Sequence, residues 1–231
     1  MTAAPPAGLR AALAQPGTGG LLRTALAARY GRTGRGRLDV AAAAAGLDVS
    51  PRTIQRWLHG HPTRATVPAR RLDDVLAAIG PSERTRTRER LDVDHAEQGR
   101  RRLRLGRRRG NLAQYASTGW LQPHTVAVLE LPGSGLRRVA ISRDDARTTA
   151  RMRRGVDQVD AVTVPNRFAA ILLRRALLSH VDPWRVEAAP GVLPKGHTQT
   201  WLAPADLPAL TTLSWKPATS ARTTGRTSAA T

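Results

Sequence analysis

The chain has no cysteine among its 231 residues. Neither a disulfide bond nor a thiolate metal site can form, which fits a reducing cytoplasm. It also has no run of 18 apolar residues, so we expect no membrane-spanning helix. Pro and Gly interrupt the first 17 residues too often for a signal peptide. These absences predict a soluble, cytoplasmic protein without a membrane partner.

Signatures of catalysis are also missing from the sequence. The six histidines are scattered, and His59 and His61 have no third metal ligand nearby. We find no Ser-His-Asp order, no Walker-type phosphate loop and no GxGxxG motif after a strand. The GSGL sequence at 133–136 is typical of a hairpin turn. We therefore expect no metal site, no cofactor and no self-standing enzymatic activity.

Lysine is almost absent, since Lys195 and Lys216 are the only two, and arginine supplies the positive charge. The 37 basic residues outnumber the 17 acidic ones, which gives a net charge of +20. A GC-rich genome explains arginine in place of lysine, but it does not explain this excess of basic residues. A strong positive charge favours a polyanionic partner, and nucleic acid is the most common one.

The segment 38–60, LDVAAAAAGLDVSPRTIQRWLHG, has the pattern of two short helices joined by a tight corner. An alanine-rich helix over 39–45 precedes the corner 47–49, where Asp48 tolerates a left-handed backbone. Ser50 can cap the second helix, and Pro51 suits its first position because no backbone N–H is needed there. This arrangement predicts a helix-turn-helix unit within 20–80.

The two faces of the second helix differ in chemistry. Small Ala44 allows the helices to pack closely, and the expected anchors behind the second helix are Val49, Ile54, Trp57 and Leu58. Arg and Gln make bidentate contacts to guanine and adenine in the major groove. The predicted base contacts are therefore the residues of the opposite face: Arg52, Thr53, Gln55, Arg56 and His59.

We expect an α+β protein in which an N-terminal all-α helix-turn-helix domain and a small C-terminal α+β domain flank a basic linker. The ends, 1–19 and 216–231, have the composition of disordered chain. Helices over 21–30 and 67–80 complete the N-terminal domain. The Arg-rich segment 81–113 is interpreted as a linker or a clamp on the DNA backbone. The predicted backbone contacts are Ser50, Arg100, Arg101, Arg102, Arg104, Arg107, Arg108 and Arg109.

The C-terminal domain, 114–215, alternates strand and helix patterns. Segments 125–131 and 137–142 flank a Pro-Gly-Ser-Gly turn and predict a hairpin. We expect Ser142 to cap a polar helix, a third strand to begin at Val159, a helix over 165–180 and a strand near Trp184. Read alone, 159–173 also fits a ribbon-helix-helix, in which the strand would pair two chains as a homodimer.

The segment 38–60, which contains SPRTIQRWL (50–58), resembles the helix-turn-helix of bacterial repressor-like proteins, and that resemblance covers about 20–80. Together with ASTG (116–119) and DDAR…RMRR…VTVPNRFAAILL (144–173), SPRTIQRWL also resembles the telomere terminal proteins of actinobacterial linear replicons. That resemblance implies a protein that binds telomeric duplex DNA, works with a DNA polymerase and a telomere-associated protein, and primes replication through one hydroxyl group. The hydroxyl candidates after the arginine run are Tyr115, Ser117 and Thr118. The alternative is a transcriptional repressor with a C-terminal dimerisation or effector domain.

Overall fold

The computed structural model describes residues 7–61, 63–104, 109–193 and 196–213. Within these ranges the protein is α+β, with helices mainly in its N-terminal part and strands in its C-terminal part. This agrees with the predicted fold class. No helix in the described ranges is both long enough and apolar enough to cross a bilayer.

The described residues form nine α-helices, a short 3-10 helix at Asp182–Trp184 and one five-stranded antiparallel sheet. The helices are α1 (Leu9–Leu13), α2 (Gly19–Tyr30), α3 (Val40–Gly46), α4 (Pro51–His59), α5 (Ala69–Ile79), α6 (Glu83–Arg104), α7 (Arg109–Ser117), α8 (Ala146–Arg153) and α9 (Arg167–His180). The strands are β1 (His124–Leu131), β2 (Leu136–Arg143), β3 (Asp157–Val164), β4 (Arg185–Val186) and β5 (Thr200–Leu202).

The N-terminal segment is ordered where we expected disorder. Leu9 and Leu13 of α1 are fully buried in the core. The Thr66 backbone N–H donates to the carbonyl of Gln15 over 3.1 Å, which ties the segment after α1 to the segment before α5. The prediction of disorder is wrong for 7–19, because two leucines on one face outweigh the Pro- and Gly-rich composition. Residues 1–6, and the tail 216–231 that we also expected to be disordered, lie outside the described residues.

The segment expected to be a linker is largely the 22-residue helix α6. It packs along α9, where Ala96 and Gly99 leave room for the buried ring of Phe168. The small residues thus allow one face of α6 to be buried against α9. Most of the arginines of α6 are exposed on the other face. The expectation of a linker is therefore wrong for 83–104.

The predicted hairpin is formed by β1 and β2, with Val128 opposite Val139. Its turn contains Gly133 and Gly135 at φ of 67° and 68°, a backbone region that favours glycine. The strand order is β3-β1-β2-β5-β4. Because β3 pairs with β1 of the same chain, that side of β3 is not free for the second chain of a ribbon-helix-helix.

Three details of the C-terminal part differ from expectation. Ser142 belongs to β2, and the Asp145 carboxylate caps α8 instead. The third strand begins at Asp157, and Asn166 caps α9, so that helix begins at Arg167. The sequence also failed to predict β5, a strand of three residues that inserts between β2 and β4.

The larger of two hydrophobic clusters in the described ranges joins the N-terminal helices to the sheet. It includes Leu22 and Leu26 of α2 together with Trp201 and Leu202 of β5, all fully buried. Helix α2 contacts both β4 and β5. The boundary expected near residue 80 therefore does not divide the hydrophobic core.

A buried ion pair fixes α6 against the sheet. The Arg185 guanidinium donates to both Glu89 carboxylate oxygens, over 2.9 and 2.5 Å, and to the carbonyl of Thr198 over 2.8 Å. The side chains of Arg185 and Glu89 are 1% and 8% exposed. Since buried charges require full pairing, this contact holds α6, β4 and the segment before β5 in one arrangement.

Candidate nucleic-acid interface

Helices α3 and α4 meet at the corner that the sequence predicts. The Asp39 carboxylate caps α3 by accepting from the backbone N–H of Ala42 over 2.9 Å. Asp48 has φ of 50°, and the N–H of Val49 donates to the carbonyl of Ala44 over 3.0 Å. The left-handed residue expected in the corner is confirmed.

The start of α4 also agrees with the sequence. The Ser50 hydroxyl accepts from the backbone N–H of Thr53 over 3.2 Å, and Pro51 occupies the first turn. Ile54 and Trp57 are buried, while Val49 and Leu58 are half-buried against the same core. These contacts fix the orientation of α4 on the protein.

The predicted base-contacting side chains lie on the outer face of α4. Arg52, Gln55, Arg56 and His59 are exposed, and Thr53 is half-buried. In the described part of the chain, neither Arg52 nor Arg56 has a carboxylate oxygen within 4 Å. The His59 ring nitrogen Nδ1 lies 2.8 Å from the carbonyl of Gln55 within the same helix. The outer face is therefore polar, positively charged and open to a ligand.

The arginines expected to contact the DNA backbone are in different environments. Arg101, Arg102 and Arg104 are exposed on the last turns of α6, and Arg101 lies 3.7 Å from Glu97. Arg100 is 9% exposed, and burial is the main cause that lowers the pKa of its guanidinium. A phosphate contact by Arg100 does not fit this buried position, so we withdraw it.

The other three predicted backbone arginines cannot be placed. Arg107 and Arg108 lie outside the described residues. Arg109 begins α7, but its side chain is outside the described part.

Two of the three hydroxyl candidates, Tyr115 and Ser117, lie in α7 rather than in a loop, and Thr118 lies in the turn that follows it. The Tyr115 ring is half-buried and packs edge-on against Phe168, with ring centres 4.9 Å apart. Ser117 and Thr118 are exposed, and their hydroxyls donate to the carbonyl of Gln114, each over 2.9 Å. Two of the three hydroxyls are therefore accessible, while the tyrosine ring packs against an aromatic cluster.

A basic cleft beside these hydroxyls was not predicted from the sequence. This open cavity of about 570 Å³ is lined by Gln122, Arg143, Asp145, Arg147, Thr148 and Arg151. A Cβ added at Gly119, next to Thr118, would lie 3.2 Å from both the Arg143 side chain and the Gln122 amide oxygen. The exposed hydroxyls therefore lie one and two residues before Gly119, which is close to two residues of the cleft lining. The sequence signal of the cleft is the four-residue spacing of Arg147 and Arg151, which places both on one face of α8.

A second cavity, of about 640 Å³, lies between α6, α9 and the segment 196–199. The three carboxylates in its lining already have partners: Asp92 pairs with Arg174 over 2.9 Å, Glu89 pairs with buried Arg185, and Glu187 accepts hydrogen bonds from Ser82 and Thr85. Arg84 and Arg88 also line it, and neither has a carboxylate oxygen within 4 Å in the described chain. The cavity is polar and carries unpaired positive charge.

No group of three or more His, Asp or Glu side chains in the described ranges is arranged to hold a metal ion. Comparison of the chain with protein-family models, with curated proteins and with solved structures finds no match in any of the three.

Proposed function

We propose that the protein binds duplex DNA and that α3 and α4 act as a helix-turn-helix. The observation that carries the proposal is the fixed, two-sided character of α4. Its inner side is anchored by buried Ile54 and Trp57, while Arg52, Gln55 and Arg56 are exposed on its outer side. The net charge of +20 supports a polyanionic partner.

In this function α4 lies in the major groove. The Gln55 amide has the donor and acceptor needed for an adenine edge, and an arginine guanidinium can donate twice to guanine. The exposed arginines at the end of α6 supply attraction to phosphates without regard to sequence. The fixed orientation of α4 supports base reading, because side-chain contacts in a groove require a rigid supporting element.

Salt dependence is the first test of DNA binding. A protein that neutralises several phosphates releases counterions, so log K should fall linearly with log salt concentration at a slope of about −0.9 for each contact. We expect a gel-mobility shift with 40-bp duplexes at low salt that weakens steeply between about 50 and 200 mM salt. Absence of a shift, or a shift insensitive to salt, would contradict the proposal.

The second test separates sequence reading from general affinity. On a preferred site selected from random duplexes, Gln55→Ala or Arg56→Ala should cost about 1–3 kcal/mol of binding free energy. On random DNA both losses should be much smaller. Arg175→Ala, at an exposed position of α9, is the matched control. Equal losses on the two DNAs would show that α4 does not read bases.

A more specific role, as a protein primer at DNA ends, is favoured by the accessible hydroxyls beside the basic cleft. In that reaction the hydroxyl oxygen of Ser117 or Thr118 attacks the α-phosphorus of a deoxynucleoside triphosphate. A phosphoester bond forms, the bond to the β-phosphate breaks and pyrophosphate leaves. A separate polymerase would supply the metal ions and accept the hydroxyl proton, and the protein's own role is to present the hydroxyl.

The test of priming is covalent attachment. DNA ends from cells that express the protein should resist entry into a gel after boiling in detergent and should enter it after protease treatment. Replacing both Ser117 and Thr118 by Ala should abolish the attachment, and Tyr115→Phe should preserve it. An adduct that persists when all three hydroxyls are removed would refute this placement of the primer.

Transcriptional repression is the alternative role, and the cavity between α6 and α9 favours it. Its volume of about 640 Å³ is in the usual range for small-molecule sites, and Arg84 and Arg88 suit an anionic effector. Site-specific DNA binding without any covalent adduct at DNA ends would select this role.

A further inference from the structure

We propose that the basic cleft binds backbone phosphates of the bound DNA, as a contact surface separate from α4. This inference rests on the proposed DNA binding and adds a second surface to it. The cleft is lined mainly by α8 and the end of β2.

The arginines of α8 are not explained by packing. No residue of α8 is buried. The helix contacts β2 and presents Arg147 and Arg151 on the side that faces the cleft. Because residues four apart lie on one face of a helix, these two guanidiniums continue the positive row that Arg143 begins. The helix therefore presents charge to solvent rather than apolar surface to the core.

The carboxylates near the cleft already accept hydrogen bonds from other residues. The Asp145 carboxylate caps α8 by accepting from the N–H and the hydroxyl of Thr148, each over 2.8 Å. Asp144 accepts from the hydroxyl of Thr125 over 2.9 Å. In the part of the chain that the structure describes, Arg147 and Arg151 have no carboxylate oxygen within 4 Å. Arg143 pairs with Asp145, whose carboxylate oxygen lies 3.8 Å from its Nε, so Arg147 and Arg151 keep the cleft positively charged.

The shape and donors of the cleft fit phosphate. Guanidinium groups donate two parallel hydrogen bonds to phosphate oxygens, and the Gln122 amide and Thr148 hydroxyl add neutral polar groups. A concave surface lined by one sign of charge also concentrates the electrostatic potential. The cleft therefore suits the repeating phosphates of a DNA strand.

The cleft is distant from the end of the sheet that contacts the N-terminal helices. The hairpin turn at Gly135 approaches Thr24 of α2, on which α4 packs. Strand β2 then runs eight residues to Arg143, about 24 Å at the usual rise per residue. The cleft lies at that far end. A phosphate held there is therefore separate from the groove that α4 would occupy.

The experiment measures the salt slope of binding to a 40-bp duplex by fluorescence anisotropy. The double variant R147Q/R151Q removes two charges from the cleft, and R175E on α9 changes the net charge by the same amount outside it. We expect R147Q/R151Q to make the slope shallower by about 1.8, at about 0.9 for each lost phosphate contact. Affinity should fall by the same factor on preferred and random DNA. Circular dichroism melts should match the wild type, since α8 buries no residue.

Each outcome is decisive. An unchanged slope in R147Q/R151Q, or an equal change in R175E, overturns this inference while DNA binding itself stands. A wild-type protein that binds no DNA overturns both proposals. R56A separates the two surfaces, because it should lose site preference and keep most of the slope.

Discussion

At the scale of single residues, Asp48 determines how α4 leaves α3. Its φ of 50° is unfavourable for most L-amino acids, and its side chain is exposed, so its backbone conformation matters more than its contacts. We expect Asp48→Val to lower the free energy of unfolding by about 1–2 kcal/mol. Asp48→Gly should stay within about 1 kcal/mol of the wild type. Urea titrations measure both, and equal effects of the two substitutions would contradict a role of the backbone.

Several close approaches also depend on single residues, and the sequence alone did not reveal them. A Cβ at Gly19 would overlap the carbonyl oxygen of Leu58, and a Cβ at Gly46 would overlap the Tyr30 ring. Both glycines allow α2, α3 and α4 to pack closely. The local pattern indicates Asp48, Ser50 and Pro51, because caps and corners depend on neighbouring residues. It cannot indicate Gly19, because the residue that Gly19 approaches, Leu58, lies 39 positions away in the sequence.

At the scale of elements, the Arg185–Glu89 pair joins α6 to β4. Arg185→Leu would leave the Glu89 carboxylate buried without its partner, so we expect a loss of about 3–5 kcal/mol in the free energy of unfolding. Replacing both residues by Leu should cost less than the single change. Chemical denaturation of the three variants measures this. A double variant less stable than Arg185→Leu would contradict the stated reason.

Glu187 links α2 to the start of α6 and gives stability a dependence on pH. Its carboxylate accepts from the N–H of Ser82 over 2.7 Å and from the Thr85 hydroxyl over 3.0 Å, and it lies 3.9 Å from Arg29. Burial alone would raise the pKa of Glu187, but these hydrogen bonds and Arg29 together lower it below its ordinary value. Ser82 and Thr85 belong to the start of α6, and Arg29 belongs to α2.

A carboxyl with a lowered pKa in the folded state stabilises the protein above its ordinary pKa, and this stabilisation is lost as pH falls through the folded-state pKa. We therefore expect Glu187→Gln to be less stable than the wild type at pH 7. The difference should shrink as pH falls below the ordinary pKa of a glutamate carboxyl and through the lower folded-state pKa of Glu187. Thermal melts across pH test this, and a difference independent of pH would contradict it. Asp73→Asn, at an exposed pair with Arg10, is the control.

Helices and strands were predictable where the residues that stabilise them are neighbours in the sequence. The periodic patterns of α2, α4, α5 and α9 and the hairpin were visible in the sequence, since each pattern spans neighbouring residues. Strand β5 has three residues and no alternation of its own, and it forms because β2 and β4 offer it partners. Helix α6 was missed because its charge density outweighed its narrow face of small residues. The basic cleft could not be predicted from the sequence, because only the fold brings Gln122 next to the arginines of α8.

At the scale of the whole molecule, the shared core predicts one folding unit. Helix α2 packs on β4 and β5, so a fragment ending near residue 81 would expose Leu22 and Leu26. We expect the fragment 1–81 to show little cooperative unfolding in thermal melts, and the whole chain to unfold in one transition. A fragment that melts cooperatively, at a temperature close to that of the whole chain, would show two independent domains.

The position of β5 near the end of the described chain has a consequence for synthesis on the ribosome. The strands that cover α2 include residues 200–202, so the N-terminal helices emerge long before their packing partner does. During translation α4 would be attached to a core that stays incomplete until β5 has emerged. The DNA recognition that we propose would therefore arise only late in synthesis. We expect a truncated product of an interrupted message to lack it even though that product contains every residue of α4.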